Sequence, residues 1–499
     1  MDSTLTAATL SSTRSGIAVP AYERARVGVG IAHIGLGNFH RAHQAAYLDA
    51  LFARDPAARR FGILGINLLA GDEPLARAMR HQDGLYTLLE RHSDSSTCTR
   101  IIGSIVDNLF APDDPAAIPD RLSDPGVRIV SLTITEAGYC HDPATGKIDI
   151  DTPGIKADLE KPGRPRTAFG VLVQALRLRR DAGTAPFTVL SCDNILGNGD
   201  LARAVTLAYA RLVDAGLAAW IEENVEFPNS MVDRITPRTS PGDIAEAARA
   251  TGLSDACPVS CEAFTQWIIE DRFPGGRPEW EQVGVRMVED VRPYEVMKLR
   301  LVNAGHQSIA YAGSLLGHEF GWQACADPAV RGLLTHYLHD EGVEAVGDVP
   351  GVDLRGYCET VIDRFANPQI SDTMTRLRGQ PSTMLSTFVL PAARLLLARG
   401  RPVLAIAAIV ACWTRVLEGH DDAGAPLPLA DIRAEDLQAR AARLDADPLA
   451  VIRDNPLFAG LDDHPGFTEP YLRTLDDLRR LGARHTLERL FTDASGDRP

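Results

Sequence analysis

The sequence predicts an α/β protein: a doubly wound, mostly parallel sheet in the N-terminal half, followed by a mostly α-helical C-terminal domain. Three observations predict it. Short β-rich runs alternate with helical stretches from about residue 21 to residue 190. A Gly-x-Gly turn joins the first of these runs to the first helix. Beyond residues 291–293 the strand patterns fade and helical periodicity takes over. The chain has 499 residues, too many for one ordinary core, so two or three domains are expected.

Taken in order, residues 27–34 read as a strand, 38–53 as a helix and 61–68 as a second strand. Residues 85–106 read as an antiparallel insertion. Residues 127–135 and 187–192 are later strands, with helical material between them. Helices are expected at 295–316, 327–341, 356–367, 403–419 and 470–482. The second of these opens on Asp327-Pro328, a capping residue followed by proline at the first helical position. The domains so drawn are a flexible arm at 1–20, a doubly wound α/β domain at 21–288, a helical domain at 289–492 and a solvated tail at 493–499.

Composition narrows the function. There are 51 Lys+Arg against 66 Asp+Glu, a net charge of −15, and phosphate-backbone binding needs a basic face, so nucleic acid is excluded as a partner. A neutral small molecule is compatible with that surface. Eight cysteines are scattered, mostly within apolar runs, as expected of free thiols in a reducing compartment. Cys257 and Cys261 have loose zinc-like spacing, but no second Cys/His pair is near them, so no metal site is expected. Residues 1–19 lack the basic start and apolar centre of a secretory signal. The apolar run 403–413 falls short of the roughly 20 residues that span a bilayer, so a soluble, cytoplasmic protein without a membrane partner is expected.

The turn after the first strand reads Gly35-Leu36-Gly37-Asn38-Phe39-His40-Arg41-Ala42. Gly35 permits the tight turn, and Gly37 lets backbone approach a pyrophosphate at the helix N-terminus. The third fingerprint position is His40, a departure, and Ala42 is the candidate for the small residue between helix and strand. Past the second strand comes Asp72. A carboxylate there would hold the ribose diol and repel a 2′-phosphate, which favours NAD over NADP. Asp72 lies 37 residues beyond Gly35 rather than about 20, and a solvated loop aspartate would read the same way.

The most informative stretch is Tyr294-Glu295-Val296-Met297-Lys298-Leu299-Arg300-Leu301-Val302-Asn303-Ala304-Gly305-His306. At about 100° per residue, Glu295, Lys298, Asn303 and His306 share an arc of about 140° on a largely apolar helix. A buried face with those groups is costly unless they are used. Oxidising a secondary alcohol needs a base, which lysine can be when burial depresses its pKa. It also needs donors to a developing alkoxide, which asparagine amides supply, and polar partners for the remaining hydroxyls. Lys298, Asn303 and His306 suit these three tasks; a solvated lysine on an amphipathic face is the plainer alternative. Asn194, in Ser191-Cys192-Asp193-Asn194, falls at the carboxyl end of a strand, where α/β sheets place ligands, though an Asx turn fits too. Asp233 sits in a partly apolar run, paired either with Arg234 or with a substrate hydroxyl.

At these residues the chain resembles the polyol-specific long-chain dehydrogenases. The motifs are Ile34 through Gln44, Thr135-Glu136-Ala137-Gly138-Tyr139, Ser191 through Asn194, residues 227–237, Lys298 through His306, and Arg364-Phe365-Ala366-Asn367-Pro368, spread over about residues 27–390. The resemblance implies a Rossmann-type domain, a helical domain and a cleft between them. It implies oxidation of a sugar alcohol with NAD, D-mannitol to D-fructose foremost and D-arabinitol or D-sorbitol next, by a protein compatible with a monomer. It makes Lys298 the general base and pairs Asn194 with Asn303 as oxyanion donors. His306, Asp233 and Arg376 become substrate contacts, and Glu295 gates proton exit. Gly35, Leu36, Gly37, Asn38, Phe39, Asp72, Thr135 and Glu136 hold the cofactor, and no catalytic metal is implied. One departure bears on substrate: where a lysine reaching the far end of the substrate is expected, this chain has Met384, with Arg378 a candidate to replace it. A hexuronate reductase using Arg376 and Arg378 is the alternative enzyme. A non-catalytic NAD-sensing protein is the remote one, set against by the retention of Lys298, Asn194 and Asn303.

Overall fold

A computed structural model describes residues 3–141 and 148–491; the tail expected at 493–499 lies outside the described residues. The chain divides into two compact units, Met1–His92 with Ser96–Arg292, and Ser93–Ser95 with Pro293–Pro499.

The strands of the first unit are β1 (Val29–Ile34), β2 (Gly62–Asn67), β3 (Tyr86–Arg91), β4 (Thr97–Ile102), β5 (Ile105–Phe110) and β6 (Ile129–Leu132). They continue with β7 (Thr188–Ser191), β8 (Ser230–Asp233), β9 (Val259–Glu262), β10 (Gln266–Glu270) and β11 (Arg286–Val288). Five form one parallel sheet in the order β5-β2-β1-β6-β7. Every residue of β2, β6 and β7 is buried, as helices covering both faces require, which explains their continuous apolar runs. The order reverses between β1 and β6, and in such sheets that switch point is where ligands bind, at the carboxyl ends of the strands.

The expected insertion at 85–106 is the β3–β4 hairpin, antiparallel from Tyr86↔Ile102 to Arg91↔Thr97. The distant β9 joins β3 in parallel, and the last residues of the stretch begin β5 of the main sheet. The helix expected at 38–53 is two, Asn38–Ala42 and Gln44–Arg54. His43 leaves helical geometry (φ −115°, ψ −92°) and its ring is wedged 4.9 Å from that of Phe39 and 5.3 Å from that of Trp267.

The N-terminal arm, expected to be flexible, is tied down. Leu5 is fully buried with Leu85, Ile101 and Leu253, its N–H donates to Ser254 O at 2.9 Å, and Ile101 N–H donates to Ala18 O at 2.8 Å. Its Ser/Thr/Ala-rich composition hides one leucine that fills a satellite core and an extended backbone that pairs with a strand.

The second unit is helical. It includes Arg292–Lys298, Ala304–Leu315, Pro328–His336, Leu354–Phe365, Leu404–Val416 and Pro465–Phe491, with three π turns at Leu299–Asn303, Tyr337–Gly342 and Leu385–Val389. Asp327 caps as expected, its Oδ1 accepting Ala329 N–H at 3.1 Å. The helix expected to end at 482 does break there: Gly482 sits at φ 77°, ψ 169°, and Asp422 Oδ2 accepts the N–H of Ala483 at 2.5 Å. One 18-residue stretch, Pro381–Ala398, has mean hydropathy 1.3 and passes the length and composition test for a membrane span. It is nonetheless tied into the unit by polar contacts, Ser382 Oγ to Asp431 Oδ1 and Arg394 Nη2 to Leu457 O, each 2.7 Å.

Candidate active site

Gly35 follows β1 at φ +98°, and a Cβ there would stand 2.0 Å from Thr133 O, just past β6. At Gly37, by contrast, a Cβ would meet only Gly35 O, at 3.7 Å, so the face beside the start of the Asn38–Ala42 helix is open. Buried Arg41 braces the turn, donating from Nε to Gly37 O at 3.2 Å and from Nη2 to Asn38 Oδ1 at 2.7 Å. Asn38 donates its amide hydrogens to Pro237 O (3.3 Å) and Thr239 Oγ1 (3.1 Å), so its side chain supports the loop. Only its main chain remains for a cofactor. Leu36 packs on Gly65 of β2, where a Cβ would come within 2.7 Å of Leu36 Cδ2.

His40, the departure from the fingerprint, lies flat on His33 of β1, with ring centroids 3.4 Å apart and planes 13° from parallel. Burial keeps both neutral, pushing His33 down to about 3 and His40 well below the ordinary range. Two stacked neutral rings thus give the close helix–strand approach that a glycine usually provides, while Ala42 is fully buried in the adjoining core.

Beyond β2, Asp72 is half-buried at the end of a short 3₁₀ turn, Ala70–Asp72. Asn67, the buried last residue of β2, reaches the glycine turn with Nδ2 3.4 Å from Leu36 O; sequence reasoning passed over it as part of the strand. Thr135 and Glu136 are exposed just past β6, with Thr135 in the left-handed region at φ 60°. Buried Asp193 holds that turn. Its carboxylate accepts the N–H groups of Thr135 (2.8 Å) and Ile134 (3.2 Å) and the hydroxyl of Tyr139 (2.9 Å). Desolvation raises its pKa even so.

Asn194 follows at the carboxyl end of β7 and is exposed. Its support is Asn198, fully buried, whose Nδ2 donates to Asp193 O (2.9 Å) and Ser230 O (2.8 Å), while its Oδ1 accepts Ser230 N–H (3.0 Å). Asp233 ends β8 and is buried. Arg234, one of the two partners considered for it, is used elsewhere: its guanidinium donates to Glu262 O (2.9 Å), Ala42 O (2.5 Å) and Glu90 Oε1 (2.5 Å).

In the second unit, Glu295 and Lys298 are buried, and Asn303 and His306 are half-buried. Helical spacing alone spreads the four over a wide arc. A π turn at Leu299–Asn303, with bonding from i to i+5, lies between Lys298 and Asn303 and narrows their angular separation, and His306 follows at i+3 in resumed α-helix. Tyr337, from the second π turn, donates its hydroxyl to Arg300 O at 2.7 Å, and Arg300 Nη1 donates to Phe388 O in the third at 3.0 Å. The His306 ring stacks on Phe365 at 4.0 Å. Arg376 is exposed and paired with Asp372 through two hydrogen bonds, and Met384 is half-buried in the four-residue helix Pro381–Met384. Cys257 and Cys261 are buried free thiols, and among the described residues no group of three His, Cys, Asp or Glu is placed to hold a metal.

A parallel sheet turned at Gly35, followed by a helical unit with a buried lysine on a π-widened face, defines a two-unit protein of the Rossmann-type class. Residues 29–282 match the mannitol dehydrogenase Rossmann domain and residues 290–479 the mannitol dehydrogenase C-terminal domain; the chain belongs to the mannitol dehydrogenase family. It is 40% identical to mannitol 2-dehydrogenase of Phaeosphaeria nodorum over 475 residues, covering 94% of this chain and 83% of that one. It is 40% identical to mannitol dehydrogenase 2 of Saccharomyces cerevisiae over 458 residues, 91% of each. Among solved structures, Pseudomonas fluorescens mannitol 2-dehydrogenase in ternary complex with NAD and D-mannitol superposes with a TM-score of 0.85 at 39% identity, covering 98% of this chain and 99% of that one. A D-sorbitol dehydrogenase in substrate-free form gives 0.91 at 36%, covering 97% and 100%.

Proposed function

We propose that the chain is an NAD-dependent polyol dehydrogenase that oxidises a secondary alcohol of a sugar alcohol to the ketose. D-mannitol to D-fructose is the reference reaction, with D-arabinitol and D-sorbitol as further substrates. The observation that carries this reading is the buried Lys298 at the end of a helix that a π turn joins to the one bearing His306. Relatives named for mannitol, one of them solved with NAD and D-mannitol, support the cofactor and substrate class.

The glycine turn fits a dinucleotide, with open space at Gly37, a helix starting beside it and Asp72 beyond β2. Held there, NAD would supply the acceptor for the hydride that leaves the carbinol carbon. Lys298, unprotonated, takes the hydroxyl proton, and Glu295, one turn earlier on the same helix, passes it on. Asn303 donates an amide hydrogen to the oxygen as it gains negative charge, without changing its own charge. His306, its ring fixed against Phe365, orients a neighbouring hydroxyl. Asn194 and Asp233 keep the roles of oxyanion donor and hydroxyl acceptor, and Arg376 that of a substrate contact. The working unit is a cytoplasmic monomer, which gel filtration at assay concentration tests.

A panel of polyols offered with NAD and with NADP, read by absorbance of the reduced cofactor, tests the whole reading. Reduction of NAD by D-mannitol or a close relative is expected, and Lys298→Ala should lower kcat by about 10²- to 10⁴-fold. Unchanged turnover in Lys298→Ala would refute the base, and activity with NADP alone would refute the role of Asp72.

A further inference from the structure

Arg378 is 8% exposed, yet its guanidinium makes no hydrogen bond or ion pair among the described residues, and Nε and Nη1 are buried without an acceptor. A buried cation with no counter-charge is among the most expensive things a fold can hold, so natural chains keep one chiefly where a ligand completes it. Two residues earlier, in the short helix Met374–Leu377, Arg376 differs: it is exposed and already neutralised by Asp372.

The position of Arg378 follows from the helix beside it. Met374 lies against Gly313 of the Ala304–Leu315 helix, where a Cβ would come 3.1 Å from Met374 Sδ. Three residues on, Leu377 O accepts from Gln307 Nε2 at 3.4 Å, and Gln307 is itself held by the Tyr311 hydroxyl at 2.6 Å. From Met374 to Leu377 the segment therefore runs back along the helix from residue 313 to residue 307. Arg378 comes next, toward the end that carries His306 and Asn303. Met384, on the helix that follows, has only a thioether and no donor.

We infer that Arg378 reads the oxygen-bearing far end of the substrate chain and sets which sugar alcohol is preferred, an inference that rests on the polyol dehydrogenase reading above. Desolvation without any compensating charge already lowers its pKa, which fits a group awaiting an acceptor. The same unbalanced charge should attract a polyol chain ending in a carboxylate, and D-gluconate is the probe.

The test is Arg378→Met, with Arg378→Lys beside it. In Arg378→Met the KM of the preferred polyol should rise about 10- to 100-fold with kcat little changed, and D-gluconate binding, measured by calorimetry, should weaken to a similar degree. Arg378→Lys should recover part of both. The melting temperature of Arg378→Met should stay level or rise, because a buried unpaired charge is removed. An unchanged KM and D-gluconate affinity, or a melting temperature that falls with kcat, would make Arg378 structural and overturn the inference. A wild-type enzyme that turns over no polyol would instead overturn the dehydrogenase reading, and D-gluconate calorimetry would still decide for or against Arg378.

Discussion

At Gly35 a Cβ would stand 2.0 Å from a backbone carbonyl while φ is held at +98°, so alanine there meets a clash on top of left-handed strain. The strain alone is worth about 1–3 kcal/mol. Two positions on, Gly37 has room for a methyl group as far as the protein is concerned. The two substitutions should therefore separate folding from binding. Gly35→Ala is expected to lower the melting temperature and abolish NAD binding. Gly37→Ala should melt as the wild type does but bind NAD more weakly, because its methyl occupies the space kept for the pyrophosphate. Thermal melts with NAD titrations check both, and an unchanged NAD affinity in Gly37→Ala would remove Gly37 from the site. These glycines were legible because a strand, a turn and a helix meet at them in sequence. Asp193 and Asn198 were not: their partners are Thr135, Tyr139 and Ser230, distant in the chain, and nothing local distinguishes a carboxylate that ties two strand ends together. Arg234 beside Asp233 made an ion pair look natural, while the fold carries its guanidinium to Glu90.

Among elements, the strands read up to residue 192 and the helices of the second unit were right in kind because their apolar periods are strong, whereas β8 to β11 were not read. The π turns were not, since one extra residue per turn leaves the apolar pattern almost intact while rotating everything that follows. That rotation falls between Lys298 and His306, so the residues proposed for the site could be named from the sequence while the turn that separates them could not. The π turn at Tyr337–Gly342 also carries Glu341, buried, whose two carboxylate oxygens accept the N–H groups of Ala405 (2.7 Å) and Ile406 (2.9 Å) at the start of the Leu404–Val416 helix. Burial pushes this carboxyl up to about 7 from an ordinary 4.5, outweighing the two hydrogen bonds. A raised acid pKa means the folded state holds a proton that the unfolded state has released. Stability from this group is complete below about pH 4.5 and is lost as pH rises through about 7, a change of order 3 kcal/mol. The wild-type melting temperature should thus fall more steeply between pH 5 and pH 8 than that of Glu341→Gln, which cannot titrate. Parallel slopes would show that Glu341 is ionised throughout.

For the whole molecule, alternation of strands and helices was enough to foresee a doubly wound sheet, but not the pairing of β3 with β9, which closes a gap of 171 residues between Leu88 and Val259. The two units divide where strand patterns give way to helical ones, since a change of period along the chain is a change of core. Net charge is a property of the same scale, and at −15 it acts differently on the two ligands. A polyol is neutral and feels no long-range field. A dinucleotide carries its pyrophosphate charge toward an acidic molecule and is repelled before it reaches the glycine turn. Salt screens that repulsion, because the Debye length shrinks from about 30 Å at 0.01 M to about 8 Å at 0.15 M. Raising ionic strength across that range should therefore lower the KM for NAD, by about twofold, and leave the KM for the polyol where it was. Initial rates with each ligand varied in turn at several salt concentrations measure this directly. A KM for NAD that rises with salt would mean that a local positive field at the turn outweighs the net charge, and that cations near the pyrophosphate, rather than backbone N–H groups alone, hold the cofactor.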